Sequence, residues 1–364
     1  MVTTKDIMEL RKRLNKEDCS ITRMCGCYVD NEKNKVTKLN ERFLNLPEEE
    51  FYKYLEIARE ILNKKIDDNM LSMEIKDIGV KNDMAAVVES ELKQEEVLES
   101  AYDKIIETYG HVGNYLILFF HDAYDIPKVT KDNQKLDESE EVYEYIICAI
   151  CPVTLTLPGI EYNEESKMFA PRERDWVVQK PESGFIYPAF EGRTAETGKV
   201  MFYTKDAKAP AHKFMEEFLG CEETFTATEI RGFFEEMIFN ATQNKELSED
   251  FESKISNGIF EIMLEPETEN KAMDEEEMEE LLKDVGIAPV YAGKIAEDYR
   301  KEFSPKYPKV AFLLNKKALK TYEESQRKKK LLDMMQKAAK EIVAYAGQET
   351  ETVQEIEDMI RRNS

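Results

Sequence analysis

Asn114-Tyr115-Leu116-Ile117-Leu118-Phe119-Phe120 and Tyr143-Glu144-Tyr145-Ile146-Ile147-Cys148-Ala149-Ile150-Cys151 are the stretches on which the reading of this chain turns. Each is an almost continuous apolar run, and each reads as a buried strand. More strand-like segments lie downstream: Ile160 to Phe169, folded about the turn-like Asn163-Glu164-Glu165-Ser166, then Trp176 to Val178, Phe185 to Phe190 and Val200 to Tyr203. Short strands joined by Gly, Pro and Asn turns make a mostly antiparallel sheet.

Upstream, Ile21 to Val29 is β-rich and ends at Asp30-Asn31-Glu32-Lys33-Asn34, so a second strand from Lys35 to Leu39 would close a hairpin. Helices flank these strands. One covers Lys5 to Lys16. Another starts at Pro47-Glu48-Glu49-Glu50, where Pro suits the first turn and the acids suit the positive end of the dipole. A third covers Glu91 to Tyr109, with Val97, Ala101, Ile105 and Ile106 at helical spacing.

After Lys205-Asp206-Ala207-Lys208-Ala209-Pro210 the pattern is helical, with helices expected at 211–219, 226–243, 273–285, 289–302, 316–346 and 350–362. The expected fold is α+β: a mostly antiparallel sheet with flanking helices over 1–205, then a helical region over 206–364 that ends in the long 316–346 helix. The acidic stretch Glu265 to Asp284 reads as a linker leading into a solvated helix.

The chain has 364 residues, 42% of them apolar, and a net charge of −24. Such a charge repels phosphate backbones and anionic lipid at long range, so it disfavours nucleic acid and membrane surfaces and favours cationic partners. The most apolar stretch, Tyr115 to Phe120, is far shorter than the roughly 20 residues of a spanning helix. The polar N-terminus has neither signal nor transit character, which points to a cytoplasmic protein. Six cysteines in a chain of this length do not make a disulfide scaffold.

Several runs together resemble one family. They are Ile21 to Val29, Lys53-Tyr54-Leu55-Glu56-Ile57, Gly113 to Asp125, Cys148-Ala149-Ile150-Cys151-Pro152-Val153 and Arg174-Asp175-Trp176-Val177-Val178. The family comes from clostridial and related bacteria and is labelled a domain of unknown function (the four-three-one-seven family). The resemblance covers about residues 1–220, and the helical tail departs from it beyond about residue 300. It implies a bacterial cytosolic origin, and it brings no activity, cofactor or catalytic residue.

The most suggestive cluster for chemistry is His121-Asp122-Ala123-Tyr124-Asp125, at the end of the first apolar run. One imidazole and two carboxylates within five residues could hold a divalent metal or transfer protons. Against that, His121, Asp122 and Asp125 could simply be polar residues that terminate a strand, since only His111 and His212 remain to complete a ligand set. Arg172, Arg174 and Arg193 sit in loop-like positions and could grip phosphate or carboxylate, or neutralise neighbouring acids such as Glu173.

Cys25 and Cys27 should share one strand face, and Cys148 and Cys151 should lie on opposite faces, without the knuckle turns of a zinc site. Phosphate loops, nucleophile elbows, paired-His helices and EF-hand spacing are missing. No cofactor and no metal are expected.

Two functions of different class remain. The first is a non-catalytic protein-interaction or regulatory protein, binding a partner or a second copy through the 316–346 helix and its basic Arg327-Lys328-Lys329-Lys330. The second is a metal-dependent hydrolase or nuclease centred on His121, Asp122 and Asp125.

Overall fold

The computed structural model describes residues 2–15, 17, 19–62, 66, 68–126, 141–263, 274–304, 331 and 334–337. The chain divides into two compact units, Met1–Glu229 and Ile230–Ser364.

In the first unit, α1 (Thr4–Arg13) is started by a capping box between Thr3 and Asp6. Strands β1 (Ile21–Val29) and β2 (Lys35–Arg42) form the first hairpin. Helix α2 (Glu48–Ile61) follows, with Glu48, Glu49 and Glu50 in its first turn. Next come β3 (Met70–Glu74), α3 (Ile78–Glu89) and α4 (Glu95–Thr108). Asp77 caps α3 by accepting the N–H groups of Gly79 (2.7 Å) and Val80 (3.1 Å).

The long strands β4 (Asn114–Ile126) and β5 (Glu141–Leu155) come next, followed by β6 (Ile160–Asn163), β7 (Met168–Pro171) and β8 (Trp176–Val178). The remaining strands are β9 (Ser183–Tyr187), β10 (Ala189–Glu191), β11 (Thr194–Glu196) and β12 (Lys199–Thr204). A π-helical turn covers Phe214–Phe218.

Eight strands form one antiparallel sheet in the order β2-β1-β4-β5-β9-β12-β3, with β8 also paired to β5. At its centre, β4 and β5 pair along their length, from Asn114 opposite Val153 to Ile126 opposite Glu141. Helices cover both faces. Ile117, Phe119, Ile146, Cys148 and Phe185 face α3, α4 and the π-turn. Leu116, Leu118, Phe120, Ile147 and Ile186 face α1 and α2. Burial on both faces explains why the two central strands read as continuous apolar runs rather than alternating ones.

The second unit contains most of α5 (Ala227–Thr242), then α6 (Lys245–Met263), α7 (Glu275–Asp284) and α8 (Pro289–Asp298). An Asp274–Glu277 capping box opens α7, and Pro289 opens α8. Phe234 and Phe303 meet edge to face at 5.7 Å, and Phe251 meets Tyr291 in the same way at 5.5 Å. A Cβ on Gly258 would stand 2.5 Å from Val285 and 2.7 Å from Leu281, so α6 packs close against the end of α7 there.

The expected mostly antiparallel sheet with helices, and the helices of the C-terminal region, are present. Four elements are additional: β3, α3, β11 and α6. Strand β3 is methionine-rich, lacks β-branched residues, and owes its strand conformation to pairing with β12. Residues Glu275–Asp284 of the expected acidic stretch form α7, and the part of that stretch up to residue 273 lies outside the described residues. So do the 316–346 and 350–362 helices, apart from helical residues 331 and 334–337.

Gly184 of β9 lies opposite Ala149 of β5, beneath α2. A Cβ there would stand 2.3 Å from the carbonyl oxygen of Cys148 and 2.8 Å from Ile61 Cδ1. Since the nearer atom is backbone, relaxation is costly. Gly184→Ala is predicted to lower stability by about 2–3 kcal/mol in urea unfolding; an unchanged midpoint would show that α2 does not press on β9 there.

Candidate functional site

Strand β4 does not stop at Phe120. It runs on to Ile126, so His121, Asp122 and Asp125 are strand residues rather than loop residues. Successive side chains on a strand point to opposite faces. His121 therefore belongs to the face that carries Phe119, and Asp122 to the face that carries Phe120 and Tyr124. Asp125 shares the parity of His121 but is exposed. The sheet thus stands between the imidazole and the nearer carboxylate, and it does not bring the three residues together. His111 and His212 are engaged elsewhere, with Glu182 (3.6 Å) and Glu229 (2.8 Å). Among the described residues, no group of three or more His, Cys, Asp or Glu side chains is placed to hold a metal ion.

His121 is 2% exposed. Its Nδ1 is 2.8 Å from Thr22 Oγ1, and its buried Nε2 has no hydrogen-bond partner among the described residues. Burial lowers its pKa, an effect opposed chiefly by the charge of Glu144. It is therefore a neutral imidazole packed in the core.

On the other face Asp122 is fully buried, and one of its oxygens accepts the hydroxyl of Tyr145. Tyr145 stacks on Tyr143 at 4.5 Å, and Tyr143 donates to the carbonyl of Pro188 at 2.6 Å. Burial raises both phenol pKa values, and the charge of Asp122 adds to the effect. Both rings remain neutral donors. Arg13, at the end of α1, lies 4.3 Å over the ring of Tyr124 and donates to Ser20 Oγ at 3.1 Å. Burial also pushes the Cys19 thiol up to about 11. Asp122, Tyr145 and Tyr143 are a buried polar cluster within the sheet, while α1 is held beside it by the Arg13 contact with Tyr124 and by the Tyr124 hydroxyl, which donates to Glu9 Oε1 at 2.6 Å.

The cysteines are free, and Cys25 and Cys27 share one face. Cys148 lies on that same face and Cys151 on the opposite one. Burial raises their pKa values, to about 11 for Cys25 and Cys27 and about 12 for Cys151 and Cys221, so none is a ready thiolate.

The three arginines occupy two separate places. Arg193 sits at positive φ in the Gly192-Arg193 turn joining β10 to β11, and pairs with Glu9 of α1 at 3.0 Å. Arg172 and Arg174 belong to a β-ribbon that leaves the sheet after β5 and returns at β8. The Arg174 guanidinium donates to the carbonyl of Thr156 at 2.9 Å, and the Arg172 N–H donates to that of Gly159 at 2.9 Å. Here Arg174 ties the two sides of the ribbon together.

The ribbon was legible only as two short strands, and its character shows in the structure. Residues 157–162 and 164–180 are exposed. Ile160 pairs with Pro171 and Tyr162 with Phe169, which puts four apolar residues on one ribbon face. Ile160 is 77%, Tyr162 51% and Phe169 73% exposed. The Tyr162 and Phe169 rings lie 5.1 Å apart. The signal in the sequence was a strand pair with apolar residues on matched sides of a polar turn.

The sequence profile described as Domain of unknown function (DUF4317) matches residues 2–354. The chain belongs to that family. The DUF4317 match extends well past the 1–220 span carried by the most recognisable runs, and past residue 300, so the helical C-terminal region is part of the family as well. No curated protein and no solved structure matches the chain.

The lowered pKa of His121 has a consequence with a definite sign. Above the ordinary value of 6.5 the residue is neutral in both folded and unfolded chains. As pH falls below 6.5 the unfolded chain takes up a proton more readily than the folded one, so stability falls. Urea unfolding at pH 7.5 and pH 5.5 should show wild type losing more stability than His121→Asn; equal losses would mean that His121 titrates normally.

Proposed function

We propose that this DUF4317 chain is a non-catalytic cytoplasmic protein-interaction or regulatory protein that engages another protein through the ribbon between β5 and β8. The observation that carries this reading is the apolar ribbon face. A two-stranded ribbon is marginally stable alone, and large exposed apolar patches mark interaction sites. The net charge of −24 argues against nucleic acid as the partner. No described helix is long and apolar enough to cross a membrane. The free cysteines suit a reducing compartment. The metal-dependent hydrolase or nuclease reading has less support, because the sheet separates His121 from Asp122 and each is held in its own buried setting. Partner binding through the 316–346 helix rests on residues that lie mostly outside those described.

The test is recovery of partners from extract of the native host. Ile160→Lys with Phe169→Lys changes exposed positions, where substitutions typically shift stability by about 0.5 kcal/mol or less. The double variant is predicted to lose partners recovered by wild type. Undiminished recovery would contradict the proposal, as would stabilisation by Mg²⁺, Mn²⁺ or Zn²⁺ that Asp122→Ala abolishes.

A further inference from the structure

Strand β8 occupies an unusual place. It continues the line of β9 along the same side of β5, with Val178 opposite Val153 and Trp176 opposite Leu155. The neighbour of β9 is β12, whose ladder ends where Lys205 donates to the carbonyl of Glu182 at 2.8 Å. There the Asn69 amide takes the carbonyls of Thr204 (3.0 Å) and Lys205 (3.1 Å) and ends the strand. Among the described residues, β8 pairs with β5 alone, and the strand position on its other side is open.

The polarity of that edge follows from the ladder. Thr156 donates to Asp175 (2.9 Å) and Gln179 donates to Pro152 (2.8 Å), so residues 175, 177 and 179 direct their hydrogen bonds at β5. In an antiparallel pair the alternate residues turn theirs away. Trp176 and Val178 therefore present N–H and C=O groups to the open side, and an extended backbone can meet both.

A groove of about 860 Å³ lies against this edge, between β8 and α2. Trp176 and Val178 share the sheet face of Val153, which is the face covered by α2. Tyr54, Ile57 and Pro181 add apolar lining, and Lys180 pairs with Glu60 at 3.3 Å. The helix wall also carries Glu49 and Glu56 beside Lys53 and Arg59.

We propose that this groove is a strand-addition site for an extended segment of another protein, with apolar side chains at alternate positions directed at Trp176 and α2. It rests on the interaction reading above and names the partner's chemistry: main-chain hydrogen bonds supply attachment, and the apolar side of the groove selects every second residue. A helix facing an open strand edge restricts the ligand to the extended state.

Trp176 is the only tryptophan and is 56% exposed, so its fluorescence reports on the groove directly. The probe is a synthetic peptide of alternating valine and threonine with a lysine at each end. The first control is the same peptide N-methylated on the amides that would face β8. The second is Val178→Pro, which removes an edge N–H while leaving those of Val177 and Gln179 for β5. The parent peptide should shift Trp176 emission to the blue, and each control should weaken binding at least about tenfold. The N-methyl comparison uses wild-type protein and so survives any folding defect of the variant. Equal shifts from parent and methylated peptides, or no shift from either, would overturn the proposal. So would a concentration-dependent dimer in sedimentation that Val178→Pro abolishes, since a second copy would then be the occupant. Peptide binding that fails while Ile160→Lys with Phe169→Lys still abolishes partner capture would defeat the groove and leave the ribbon reading standing.

Discussion

A strand buried on both faces leaves no side of itself for water, and this condition governs β4 and β5. Their full-length ladder satisfies the backbone groups of the sheet centre, and helices on either side cover the side chains. Close approach is part of the same constraint. Gly184 lets β9 lie against β5 while α2 presses from above. The buried His121 and Asp122 of this layer each have an internal partner, Thr22 and Tyr145 respectively.

That constraint turns an apparent catalytic cluster into two separate structural ones. Proximity in sequence suggests proximity in space only where the chain turns. On a straight strand it guarantees that neighbours point apart, and β4 stays straight through His121 and Asp122. The imidazole is buried on the side of α3 and α4. The carboxylate is buried on the side of α1, in a network of tyrosines with Arg13 nearby. Both groups tie neighbouring strands of the sheet together, His121 to Thr22 of β1 and Asp122 to Tyr145 of β5.

Much of this fold was legible in the sequence because apolar runs and caps are local signals. Ile21 to Val29 and Trp176 to Val178 match strand boundaries, and Pro47 with its three glutamates marks the start of α2. Asp77 and Asn257-Gly258 were less readable, because a cap followed by glycine, or a glycine inside a helix, resembles a turn until its packing is seen. The extent of β4 was hidden for a different reason: polar residues past Phe120 look like a strand end, but β1 and β5 continue to pair with them. The open edge of β8 could not be read at all, because it depends on where β12 leaves the sheet.

That β8 offers an unpaired edge is best tested by amide hydrogen exchange resolved by residue. In the free protein Val177 and Gln179 should exchange slowly, since their N–H groups bond to β5, while Trp176 and Val178 between them exchange fast. This alternation within four consecutive residues is the predicted result. Protection of Trp176 and Val178 as strong as that of Val177 and Gln179 would mean that the edge is already covered, and would contradict it.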